Sequence, residues 1–237
     1  MVPIIYNANE DFTEEKLMDY IIYQCQNHHQ TKRALVFAFL VYDFEDYTIN
    51  QILDNKQYWT TLDKLSGHFL SIFYINSRNS YFKKRQKEIH LQRIANRGKV
   101  SELGLNQMLI PLSAPKNPLD ESIDYIKKEF SLEETVQHPF ILFFQIEGDT
   151  IIDYFVVSLK QEKLEEAFLE LRMQIKNAVI ALRRITPENY NNHKEIFDQV
   201  KLSVQGANIH HYIKTKIIPS LNLKTLLSFL RILSSGS

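Results

Sequence analysis

The chain has 237 residues, is charge-neutral on paper with 28 Lys and Arg against 28 Asp and Glu, and is 44% hydrophobic and 24% charged. That is the composition of a globular protein with enough chain for one large or two small domains. No two of its 6 glycines are five residues apart, which excludes a Walker A loop, and GxGxxG cannot be written either; the single cysteine, Cys25, excludes an internal disulfide, a CxxC redox pair and a Cys-rich zinc site.

In chain order, the opening stretch MVPIIYNANEDF has no basic region and no long apolar run, so no signal peptide is expected. Residues 13–30 read as a helix: Thr13 can cap it, Glu14 and Glu15 suit its positive end, and Leu17, Tyr20, Ile21 and Gln24 follow at helical spacing. Cys25, near its end, reads as a small packing residue. Residues 34–42 (ALVFAFLVY) form a continuous apolar run that predicts a strand covered on both faces, as in a parallel sheet. Residues 48–65 predict one helix with an apolar stripe through Ile49, Ile52, Leu53, Trp59, Leu62 and Leu65, stopped by Gly67. A second buried strand is expected over 68–75 (HFLSIFYI), joined to the first by a right-handed crossover.

Residues 77–118 break this rhythm. The spacing predicts a basic helix over 78–97, a short edge strand over 109–112 and a loop over 114–118. A helix follows over 119–130, with Asp120 and Glu121 early and Lys127 and Lys128 late, the order its dipole favours. Residues 140–146 (FILFFQI) predict a third strong strand, Glu147-Gly148-Asp149 a tight turn, and 150–157 (TIIDYFVV) the returning strand of a hairpin. A long amphipathic helix is expected over 158–181, ended near Pro187, and two or three shorter helices over 188–237.

The neutral total hides segregation. Residues 1–77 carry 5 basic and 10 acidic groups, 78–99 carry 8 and 1, 100–170 carry 5 and 14, and 171–237 carry 10 and 3. The zones either neutralise one another within the fold or present a basic face to an anionic partner, and we adopt the first. No window reaches ~18 uncharged apolar residues, so no transmembrane segment is expected. With no Asn-x-Ser/Thr sequon and one cysteine, the expected location is cytoplasmic.

The succession helix–strand–helix–strand–insert–helix–strand–turn–strand–helix resembles the thioredoxin fold. The local match lies at Gln137-His138-Pro139 ahead of the apolar strand 140–144, then at Glu147-Gly148-Asp149, then at Leu159 and 162–171. The resemblance implies an α/β three-layer sandwich over 1–185 with a long insert near 77–118, followed by a helical C-terminal extension over 186–237. It also implies a cis bond at Pro139, beside the place of the family's redox site. Here that place reads Tyr42-Asp43-Phe44-Glu45-Asp46-Tyr47, without cysteine, selenocysteine, serine or threonine at either cysteine position. No thiolate nucleophile can form, so the family's dithiol chemistry is excluded and the scaffold alone carries over. Non-catalytic members of the superfamily bind peptides or protein partners.

The candidate binding residues follow from this. Asp43, Glu45 and Asp46 cluster after a strand, where open α/β sheets place ligands. They can coordinate a divalent cation, or simply favour the N-terminus of the next helix, which is the role we assign. His138 and Pro139 lie across from them by the resemblance, and His138 is read as structural, with a pH-sensitive binding role as the alternative. Neighbouring residues of the pairs His28-His29 and His210-His211 point about 100° apart on a helix and form no chelating face, so neither a metal nor a cofactor is expected. Lys83, Lys84 and Arg85 sit beside Tyr81 and Phe82, a mixture that suits phosphate contact and base stacking as well as a solvated helix. No catalytic constellation stands out. The expected function is therefore a non-catalytic thioredoxin-like module that binds a protein partner or acts as an adaptor. The alternative is association with nucleic acid or another polyanion through the basic zones 78–99 and 171–237. Finally, Leu223, Leu226, Leu227 and Leu230, widened by Phe229 and Leu233, make an apolar stripe near the C-terminus. Its burial is expected on the chain's own core, or in a partner or homo-oligomer interface.

Overall fold

The computed structural model describes residues 1–6, 11–43, 46–77, 118–147, 150–159, 163–186, 188–190 and 192–206. The elements are β1 (Val2–Tyr6), α1 (Glu14–Gln30), β2 (Val36–Val41), α2 (Tyr47–Asp54), α3 (Lys56–Ser66), β3 (Ser71–Ser77), α4 (Pro118–Glu129), β4 (Phe140–Glu147), β5 (Thr150–Ser158), α5 (Leu164–Leu182) and α6 (His193–Gln205). The expected basic helix and edge strand within 77–118, with Lys83, Lys84 and Arg85, lie outside the described residues, as does the chain beyond Gly206.

The five strands form one mixed sheet in the order β1-β3-β2-β4-β5. β3 runs parallel to both β1 and β2, whereas β4 runs antiparallel to β2 and to β5. The fold is thus α/β with a five-stranded mixed sheet. β2 is buried along its whole length, as its unbroken apolar run requires. Helices cover both faces. On one, Phe37, Phe39 and Phe144 meet His28 of α1 and Phe130, which follows α4. On the other, Phe143 stacks on Phe155, which meets Phe197 of α6. Among the described residues, no helix is long and apolar enough to cross a membrane.

Three details differ from the sequence expectation. β1 was not foreseen. It is an edge strand carrying Pro3, and an edge is where a strand tolerates a residue that cannot donate to a ladder. The single helix expected over 48–65 is two helices. Asn55 leaves the helical region with φ −81° and ψ 112°, and its Oδ1 accepts from the backbone N–H groups of Gln57 at 2.9 Å and Tyr58 at 3.2 Å, capping α3. Gly67 closes α3 at φ 53°, a conformation that favours glycine. The helix expected from 158 begins at Leu164, because β5 stays paired with β4 as far as Ser158. α6 joins the same core through Ile196, Phe197, Val200 and Val204. Gln145 of β4 donates to the His193 carbonyl at 2.6 Å, fixing the start of that helix.

Phe144 has Phe39 at 5.0 Å, Phe130 at 5.4 Å and Phe37 at 5.7 Å between ring centroids, and is fully buried. Phe144→Ala is expected to destabilise the fold by about 3–5 kcal/mol, read as a lower urea midpoint with an unchanged slope.

Candidate functional site

The site lies where β2 ends, α2 begins and the chain enters β4. Tyr42 closes β2 by donating its hydroxyl hydrogen to the Ile75 carbonyl of β3. The next residues form a self-bonded turn. The Asp43 N–H donates to Asp46 Oδ2 at 2.7 Å, and the Asp46 N–H donates to Asp43 Oδ1 at 2.9 Å. Asn50, one turn into α2, donates its side-chain amide to the carbonyls of both Asp43 and Asp46 at 3.0 Å. Sequence reasoning missed Asn50. Its position four residues after Asp46 is the signal that could have found it, because i and i+4 share a helix face.

This geometry revises the capping role assigned to the aspartates. Asp46 occupies the N-cap position of α2, but its side chain makes no capping bond to the helix. It turns back to the loop and across to the segment before β4. His138 Nδ1 lies 2.9 Å from Asp46 Oδ2, and Nε2 lies 3.3 Å from Asp43 Oδ2. The His138–Pro139 bond is cis, as the resemblance implied, and the Pro139 carbonyl accepts from the Leu159 N–H at 2.9 Å, tying this segment to the end of β5. Of the candidate residues, Asp43, Asp46, His138 and Pro139 are therefore brought together. Glu45 lies outside the described residues, as do Lys83, Lys84 and Arg85.

Two carboxylates facing one imidazole favour its charged form. The hydrogen bond to Asp46 raises the His138 pKa above the usual histidine value; partial burial opposes this, the charges of Asp46 and Asp43 add to it, and Lys127 of α4 opposes it. Asp43, Asp46 and His138 offer ligand atoms all within 4.8 Å of one another, a spacing that can hold a divalent cation. Both ring nitrogens already face carboxylates, so a cation would have to compete with the imidazolium proton.

Two other groups invite a chemical role and lack one. Cys25 is buried in α1, and burial pushes its thiol up to about 12, so it supplies no thiolate near neutrality. His28 is fully buried, with Nδ1 2.8 Å from the Ala34 carbonyl and Nε2 3.0 Å from Ser71 Oγ. Because a carbonyl only accepts, Nδ1 carries the proton of the neutral ring. Burial lowers its pKa to about 4 despite that bond.

The chain matches no protein-family model, no curated protein and no solved structure.

The two histidines affect stability in opposite directions. The raised His138 contributes stability that is complete below the unfolded histidine pKa, ~6.5, and is lost as pH rises through its folded value. The lowered His28 stays neutral while the unfolded chain takes up a proton, so stability falls between pH ~6.5 and about 4. NMR titration is expected to place His138 above 6.5 and His28 near 4. Asp46→Asn is expected to move His138 back down and leave His28 unchanged. Movement of both, or of neither, would contradict the assignment of Asp46 as the main partner.

Proposed function

We propose that the chain is a cytoplasmic, non-catalytic thioredoxin-like module that binds a protein partner through the paired segments 43–46 and 138–139. The observation that carries this reading is the union of those segments: Asp43 and Asp46 converge on His138 beside Pro139, at the ends of the central strands β2 and β4. The sheet order β1-β3-β2-β4-β5, with β4 antiparallel to β2, agrees with the thioredoxin-like arrangement. At the place of the redox motif stand carboxylates, which neither form a disulfide nor relay electrons. What remains is a polar, partly exposed and internally bonded platform, suited to recognising hydrogen-bonding groups on a partner.

The binding alternative, a polyanion held by the basic zones, rests on residues 78–99, outside the described part, and on 171–237, described only as far as Gly206.

Two experiments test the proposal. The protein is expected to show no turnover in an insulin-reduction assay with a dithiol reductant. With a photo-crosslinking side chain at half-buried Lys127, near His138, the wild type is expected to label a protein partner from its native cell extract, with labelling retained at about 0.5 M salt. Asp43→Arg in the same background is expected to abolish that adduct while leaving the melting transition cooperative. Persistence of the adduct in the variant would remove the platform from the interface. Labelling of nucleic acid that disappears with salt would favour the polyanion reading.

A further inference from the structure

α5 exposes an apolar line that the fold does not use. Leu169, Met173 and Ile180 are all exposed, at 55%, 37% and 38%, on a helix whose opposite side is buried through Leu171, Ile175, Ala178 and Leu182. With Lys176 they follow i, i+4, i+7, i+11 and so share one stripe, about 16 Å long. α6 lies alongside, held by the Ser203 hydroxyl donating to the Asn177 carbonyl at 2.8 Å. Leu202, next to that serine, is the most exposed large apolar residue described, at 70%.

The chain itself supplies a matching segment. After Gly206 it continues for 31 residues outside the described part. Within them, Leu223, Leu226, Leu227 and Leu230 form a helical stripe widened by Leu233, which spans about 15 Å from Leu223 to Leu233 as a helix. Residues 207–237 contain 4 Lys and Arg and no Asp or Glu, whereas the N-terminal end of the α5 stripe is acidic at Glu165, Glu166 and Glu170. The connection starts beside the stripe, at the end of α6, and the 16 residues between Gly206 and Leu223 reach up to about 50 Å. A stripe of this size is well short of the ~800 Å² per partner that separate chains need for stable association, but a tethered segment works at roughly millimolar effective concentration.

We propose that residues 221–233 dock as an amphipathic helix on the α5–α6 face, with Leu223, Leu226, Leu227 and Leu230 covering Leu169, Met173, Ile180 and Leu202. The face is then an internal interface. Its disruption would release an apolar, basic segment to other surfaces.

Paired cysteines test this directly, because native Cys25 is buried and unreactive. Full-length protein carrying Met173→Cys and Leu227→Cys is expected to form a disulfide within one chain on mild oxidation, seen as a faster-migrating monomer. The control pair Tyr23→Cys and Leu227→Cys places the first cysteine on exposed α1, across the sheet, and is expected not to form one. A disulfide between chains would overturn the proposal in favour of a second copy, and equal reaction of both pairs, or none, would overturn it outright. An independent measurement uses changes at exposed positions. Met173→Glu with Ile180→Glu is expected to raise tryptic cleavage after Lys224 by about tenfold or more, since cleavage follows the open population. Rapid cleavage of the wild type, or an unchanged rate in the variant, would overturn the proposal.

Discussion

The pairing of β4 against β2 is the constraint on which the rest of the molecule depends. It runs from Val36 opposite Gln145 to Val41 opposite Phe140, six residue pairs in the middle of the sheet. Both strands are buried on both faces, so every side chain along the ladder must find a packed partner. A one-residue slip would exchange Phe143 with Phe144 and break two aromatic clusters at once. The pairing also aligns the end of β2 with the start of β4. That alignment alone brings Asp43 and Asp46 to His138, residues separated by more than 90 positions in sequence.

Because the ladder fixes the two segments, the polar contacts between them are made without ordering long chains at the moment of contact. Asp46 is almost wholly buried, and a carboxylate taken from water requires charged or hydrogen-bonding partners. It has the Asp43 N–H and the His138 ring. The partial exposure of His138 leaves one side of this assembly facing solvent. His28 experiences the reverse: the sheet and α1 enclose it, the Ala34 carbonyl and Ser71 satisfy it, and no carboxylate appears among the causes of its shift. One side chain type therefore holds a proton in one place and refuses it in the other, and the distance to carboxylate charge decides which.

The sequence made some features legible and left others hidden, for physical reasons. β2 and β4 were legible because burial on two faces demands unbroken apolar runs, and no polar position interrupts those of β2 and the first five residues of β4; β5 was legible as the strand returning after the turn at Glu147-Gly148-Asp149. α1 was legible through Thr13, the two glutamates and the helical spacing of Leu17, Tyr20, Ile21 and Gln24, although the line the fold buries is Leu17, Ile21, Cys25 and His28. β1 was hidden because five residues with a proline carry little periodicity, and its stability comes from β3, over 65 residues away. The break at Asn55 was hidden because the apolar stripe continues through it, while the bonds that end one helix and start the next are polar. At the site, proximity of His138 to the acidic loop followed from the resemblance. The inward turn of Asp46 did not, because N-cap and cross-loop bonding use the same residue type at the same position, and only the tertiary partner decides between them.

Asp43 and Asp46 hold each other reciprocally: each aspartate accepts the other's backbone N–H, and Asn50 binds both carbonyls. Bonds of this kind restrict the conformational freedom of the two aspartates. The charge balance sets a second limit. With His138 protonated, two carboxylates and one imidazolium leave a net negative platform, partly offset by Lys127 nearby. With His138 neutral, the negative charge grows and the link between the segments weakens. The charge at this end of the central strands is therefore negative, and its size depends on the protonation of His138.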